Sequence, residues 1–149
     1  MSQTEPFDYL KLENQLCFPF YAASMLITRL YQPHLEAMGI TYTQYLVLLV
    51  LWEIDGVPVG KFTQTLMLNT NTVTPLLKRM EASGLVTRKR STTDERQVLI
   101  YLTDKGLSLK EKALCIPQKL LEAVNYPIDK LEHLKAEIDQ LMLQLSKTV

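Results

Sequence analysis

Cysteine is scarce in this sequence: two residues in 149, Cys17 and Cys115, lying 98 positions apart. That spacing makes neither a zinc-binding pair nor the even framework of a disulfide-rich chain. With "MSQTEPFDYL" at the start, where neither a basic stretch nor an apolar signal core marks export, the expected compartment is a reducing cytoplasm. Histidine is as rare, and neither His34 nor His133 has a neighbouring ligand pattern, so no metal is expected. Glycine-rich phosphate loops and nucleophile–base motifs are missing, and with them the usual marks of an enzyme or a bound cofactor. Long hydrophobic runs are missing too. The longest, "YLVLLVL" from Tyr45 to Leu51, falls far short of the ~20 residues a membrane-spanning helix needs.

What remains is a globular composition, 47% hydrophobic and 21% charged, in a chain long enough to bury one core. No repeat or flexible linker divides it. Net charge is zero, but its distribution is uneven. Between Lys78 and Arg96 six basic residues (Lys78, Arg79, Arg88, Lys89, Arg90, Arg96) face three acidic ones, leaving +3 that the rest of the chain balances with −3. A neutral chain with one basic segment presents a local anion-binding face. A solvated charged surface is the plain alternative.

Periodicity gives the order of elements. Leu12 to about Gln32 reads as a long helix that Pro19 must open or kink. A short piece from His34 to Met38 ends at Gly39. Thr41 with Gln44 three residues on makes a capping box for a buried helix to about Ile54. "DGVPV" is a turn and a short extended segment, and Phe62–Leu68 a short helix with Phe62, Leu66 and Met67 facing inward. Asn69 or Asn71 caps a helix that ends before Gly84, with Val73, Leu76, Leu77 and Met80 as its buried face. Thr70, Asn71, Thr72, Thr74, Lys78 and Arg79 lie opposite, and Pro75 inside the helix predicts a slight bend. "LVTRKR" and "QVLIYLT" flank the polar "STTDER" as a hairpin with a charged tip. One long helix is predicted from Asp104 to about Val124, then a break at "NYP". The last helix carries Leu131, Leu134, Ile138, Leu141 and Leu145, a narrow apolar seam for packing on another helix, in the same chain or in a second copy.

Helix, short strand, two helices and a hairpin is the winged helix-turn-helix order, mainly α with a small β component. A polar-faced helix suits the major groove and a basic hairpin suits phosphates and the minor groove. The expected partner is double-stranded DNA, read as a pseudo-palindrome by a homodimer. The candidate contacts are Thr70, Asn71, Thr72, Thr74, Pro75, Lys78, Arg79, Arg88, Arg90, Asp94 and Arg96, with Asp94 orienting the Arg96 guanidinium.

The stretch from Thr72 to Gly106, "TVTPLLKRMEASGLVTRKRSTTDERQVLIYLTDKG", resembles the MarR family of winged-helix repressors. The stretches "LENQLCFPFYAAS" and "ITYTQYLVLLVLWE" are similar to its organic-hydroperoxide-sensing branch, OhrR. The resemblance implies one MarR-type domain over 1–149, with a DNA-binding core at about 40–106 and a helical dimerisation region at about 10–38 and 107–149. Where the branch reads "DSGTLTPLLKR", this chain has "NTNTVTPLLKR". Asn69 therefore caps without a charge, and Asn71 puts a base-reading amide where the branch has glycine.

For Cys17 the resemblance implies a redox sensor. Tyr31 and Tyr42 would reach it from the partner subunit and Tyr21 would stand beside it, since phenols that donate to a sulfur stabilise its thiolate. Oxidation by an organic hydroperoxide gives a sulfenic acid, which condenses with a second thiol. A small cellular thiol is the first choice. Cys115 is the only internal candidate and is otherwise core filler, two turns (~11 Å) along its helix from where a resolving cysteine is expected. Two rivals stand: release by a small aromatic ligand with Cys17 incidental, and a thiol peroxidase.

Overall fold

The structure, a computed structural model, describes residues 7–149. The chain divides between Leu114 and Cys115 into two compact units. The first begins with two 3-10 turns, Asp8–Leu10 and Leu12–Asn14, followed by helix α1, Cys17–Ala37. The predicted helix therefore starts later than Leu12, and Pro19 stands in its first turn, where its missing donor costs nothing. The predicted break at "YQP" is absent, because α1 runs on through Pro33. Pro33 is exposed, so its ring points to solvent, and the lost ladder bond is offset nearby. Gln32 Nε2 donates to Glu36 Oε1 at 2.7 Å, and Leu35 in the same turn is buried. The helix stops at Gly39, whose φ of +70° lets the Ile40 and Gly39 amides reach back to the Leu35 and Glu36 carbonyls.

Helix α2, Tyr42–Glu53, opens with the predicted capping box. The Gln44 amide donates to Thr41 Oγ1 at 3.3 Å, and the Thr41 amide donates to Gln44 Oε1 at 2.9 Å. Val47, Leu48 and Leu51 bury its core face. Strand β1, Val57–Pro58, leads into α3, Val59–Thr65, which starts and ends three residues earlier than predicted. Phe62 is fully buried as expected, whereas Leu66 is only half-buried and Met67 is exposed. Met67 takes the left-handed conformation (φ +53°) that turns the chain toward the next helix, so its side chain leaves the core. Helix α4, Thr70–Ala82, buries the predicted Val73, Leu76, Leu77 and Met80.

Strands β2, Val86–Arg90, and β3, Val98–Leu102, pair antiparallel, with Arg88 opposite Ile100, and β1 adds to the far side of β3. Helix α5, Asp104–Ala113, closes this unit. Its start admits only glycine at position 106, since a Cβ there would sit 2.2 Å from the Leu85 carbonyl oxygen. Thr103 caps α5, accepting from the Gly106 amide at 3.0 Å while donating to the Gly84 carbonyl at 2.6 Å.

The second unit holds α6, Ile116–Val124, and α7, Ile128–Leu145. The single helix predicted from Asp104 to Val124 is thus two. Pro117 cannot donate to the carbonyl four residues back and its ring crowds that turn, so the helix restarts with Pro117 in the first turn of α6. Asn125 in the left-handed region ends α6, and Pro127 precedes α7. Along α7 Leu134, Leu141 and Leu145 of the predicted seam are exposed, and no residue of that helix is fully buried. No single helix among the described residues is long and apolar enough to cross a membrane.

Candidate nucleic-acid interface and thiol site

Helices α3 and α4 form the helix-turn-helix, and α4 presents its polar face outward. Asn69 supplies the cap: its Oδ1 accepts from the Thr72 amide at 2.9 Å and from the Thr72 hydroxyl at 3.0 Å. Thr70, Asn71, Thr72, Pro75, Lys78 and Arg79 are exposed and Thr74 is half-buried. Despite Pro75 the helix is continuous to Ala82.

The hairpin beside α4 is fastened to it by a residue that sequence reasoning passed over. Glu81 accepts from the Arg88 main-chain amide at 3.1 Å and from Arg88 Nε at 2.9 Å. Arg88 is therefore engaged in holding wing to helix, while Arg90 and Arg96 extend into solvent. Lys89 lies over the Tyr101 ring, 5.4 Å from its centroid. At the tip, Asp94 does not orient the Arg96 guanidinium as expected. Its Oδ1 accepts from the Arg96 main-chain amide at 3.1 Å, because two residues is the reach of an Asx turn. Ser91, which is buried, accepts from the Thr93 and Asp94 amides at 3.3 Å each. The signal for both turns was the run of short hydroxyl and carboxylate residues in "STTDER". At the base of the wing, Trp52 Nε1 donates to the Gly106 carbonyl at 3.1 Å, and Asp55 Oδ1 accepts from the Leu102 amide at 2.8 Å.

Cys17 is the first residue of α1 and is exposed, as are Phe18, Phe20 and Tyr21 around it. Tyr21 follows one turn later on the same face. Tyr31 and Tyr42 come together elsewhere, with ring centroids 5.0 Å apart, and Tyr45 joins them at 5.7 Å from Tyr31. Tyr45 in turn meets Trp52 edge-on at 6.2 Å. Burial holds the phenols of Tyr31, Tyr42 and Tyr45 above their usual range, with mutual repulsion adding to this for Tyr31 and Tyr45. All three are neutral hydroxyls at neutral pH, able to donate. Tyr31 stands fourteen residue steps beyond Cys17 on α1, ~21 Å along the axis, so the two do not meet within one chain. A cleft of about 250 Å³ opens between α1 and α2, with Leu35 and Ile40 among its walls and Tyr42 at its edge. Cys115 is exposed at the cap position of α6, at the helix break rather than inside a helix. The axial distance reckoned for an unbroken helix therefore does not apply to it.

The SarA/Rot transcriptional regulator family matches residues 29–113. This fold and this match define the class: the chain belongs to the MarR-type family of winged-helix transcriptional regulators. Within it the chain is 50% identical to the organic hydroperoxide resistance transcriptional regulator of Bacillus subtilis, over 91% of this chain and 92% of that one. Reduced AbfR of Staphylococcus epidermidis bound to DNA superposes with a TM-score of 0.76 at 39% identity, covering 93% of this chain and 98% of that chain. The overoxidised AbfR bound to DNA gives 0.74 at 38% identity, covering 95% and 99%. Its disulfide-formed state gives 0.62 at 37% identity, covering 94% and 95%.

Proposed function

We propose that the protein is a homodimeric, cytoplasmic repressor that holds a pseudo-palindromic operator when Cys17 is reduced and releases it after an organic hydroperoxide oxidises that thiol. One observation carries the reading: an exposed Cys17 opens α1 among exposed aromatic rings, while Tyr31, ~21 Å along the same helix, clusters with Tyr42 at the start of α2 as neutral phenols. A second copy running antiparallel brings one chain's phenols to the other's thiol, so the sensor belongs to the dimer. The exposed apolar seam on α7 and the exposed apolar start of α1 supply surface for that contact. The hydroperoxide transfers one oxygen to the thiolate and leaves as the alcohol, giving a sulfenic acid. A small thiol then displaces water and forms a mixed disulfide. The protein reacts once per thiol and is not an enzyme.

Release requires energy. Moving from 99% bound to 99% free takes ~5.5 kcal/mol of differential stability between the two states. A bulky polar adduct between aromatic rings in both subunits can supply this by breaking packing and tyrosine hydrogen bonds, whereas added oxygens alone are small. The existence of an overoxidised AbfR bound to DNA supports the second half of that distinction. A second reading, release by a small aromatic ligand, draws on the cleft beside Tyr42.

The test is a gel-shift titration of wild type and Cys17→Ser. Each is treated with an organic hydroperoxide, with and without a small thiol, or with an aromatic acid alone. Wild type should be released by hydroperoxide plus thiol and Cys17→Ser should stay bound. Equal release of both would discard the sensor, and release by the aromatic acid alone would install the ligand reading. Steady consumption of peroxide with a reductant would instead indicate a peroxidase.

A further inference from the structure

We infer that Asn71 is the base-reading residue of α4 and that it selects an adenine in each half of the operator. This rests on the DNA-binding reading above and names what the interface distinguishes. The buried face of α4 is Val73, Leu76, Leu77 and Met80. At 3.6 residues per turn, Asn71 lies about 170° from the centre of that face, with Pro75 and Lys78 on the same outward line. Those three side chains point where a groove floor must be when the helix lies in a major groove on its polar side.

Their chemistry differs. Pro75 has no hydrogen-bonding side chain, and Lys78 carries donors only. Asn71 alone on that line offers a donor and an acceptor in one plane. Two of its neighbours, Asn69 and Thr72, are engaged with each other rather than with its amide. The cap is made by Asn69, which also takes the Thr72 hydroxyl. Thr70 and Thr72 lie nearer the flanks, and a single hydroxyl bonds to any base. Asn71 is exposed in the first turn, the part of a recognition helix that meets base edges. Adenine presents an N7 acceptor beside an N6 donor in the major groove, the complement of a carboxamide. Guanine presents two acceptors there and fits Lys78 better. The structure thus assigns adenine to Asn71.

The experiment is selection from a library of duplexes with a random central segment, run on wild type and Asn71→Ala. Wild type should enrich a palindrome with one adenine per half-site that becomes degenerate with Asn71→Ala, every other position being kept. Replacing that adenine by 7-deazaadenine, which lacks N7 and keeps the N6 donor, should weaken wild-type binding about 2- to 12-fold, the worth of the one hydrogen bond it removes. The same replacement should leave Asn71→Ala binding unchanged. The deaza arm uses the wild-type protein, so a folding defect in the variant cannot mimic the result. A palindrome whose preferences are the same in both proteins, or a uniform loss across sequences, overturns the inference and leaves DNA binding standing. If wild type enriches no duplex, the DNA-binding reading falls and this inference with it.

Discussion

Among the described residues, Tyr31, Tyr42 and Tyr45 carry the clearest electrostatic signature. Each phenol is held neutral above its usual range, first by burial. The sign of the consequence follows from proton counting. Below the unfolded value, ~10, both states keep the proton and the cluster's contribution to stability is complete. As pH rises past it, the unfolded chain loses protons first, and stability falls until the folded phenols ionise at their own higher value. Urea unfolding at pH 8 and pH 11 should show this loss, and Tyr31→Phe should flatten it. An equal slope in the variant would place the alkaline transition elsewhere. Under the sensor reading, Tyr31→Phe and Tyr42→Phe should keep DNA binding but slow the oxidation of Cys17, since each removes a donor to the thiolate. Single-turnover loss of free thiol measures it. Gly106 makes a harsher case. Gly106→Ala drives a methyl into the Leu85 carbonyl and should cost about 1–3 kcal/mol in thermal unfolding, the range for forced overpacking.

The wing behaves as a braced element, with Glu81 binding Arg88 at one side and Ser91 with Asp94 closing the tip. The Glu81–Arg88 pair is partly exposed, so Glu81→Gln should change stability by less than about 1 kcal/mol. DNA affinity should fall more than stability, because the brace sets where Arg90 and Arg96 lie. Arg96→Ala should weaken operator binding by about 1–3 kcal/mol if its guanidinium makes a specific groove contact. Unchanged affinity at moderate salt would reject that role. These elements also mark how far the sequence could be read. Buried faces were legible in α4, at Val73, Leu76, Leu77 and Met80, though not at Met67, which a left-handed turn carries out of the core, and caps written into three or four residues were legible at Thr41 and Asn69. The effect of a proline on its helix is not legible from its position alone. Pro33 leaves a helix whole and Pro117 ends one, because the outcome depends on exposure and neighbouring bonds that no single residue encodes. The charge of Asp94 points to a cationic partner, whereas its local reach to a main-chain amide decides the bond it makes.

At the scale of the whole molecule, one chain leaves its apolar surface unfinished. Phe18, Phe20, Tyr21, Leu134, Leu141 and Leu145 are all exposed. Sedimentation should find a dimer at micromolar concentration, and a stable folded monomer there would sink the proposed sensor, which needs both copies. Footprints on the operator should be two-fold symmetric, with half-sites about one helical turn, ~10 bp, apart. The candidate thiol site was legible only through local motifs around Cys17, Tyr31 and Tyr42. That Tyr31 on α1 packs with Tyr42 and Tyr45 on α2, well away from the thiol, emerges only from three dimensions.

Trp52 is the sole tryptophan of the chain, and its indole N–H is tied to the Gly106 carbonyl at the foot of the wing, with Tyr45 against its ring. The molecule therefore carries a built-in optical probe at the joint between the tyrosine cluster and the DNA-facing hairpin. Excited at the red edge, its emission reports on one hydrogen bond and one ring contact with no label added. Under the sensor reading, a stopped-flow trace after mixing with hydroperoxide and thiol should show a change in that emission following the loss of free thiol, in solution and without DNA.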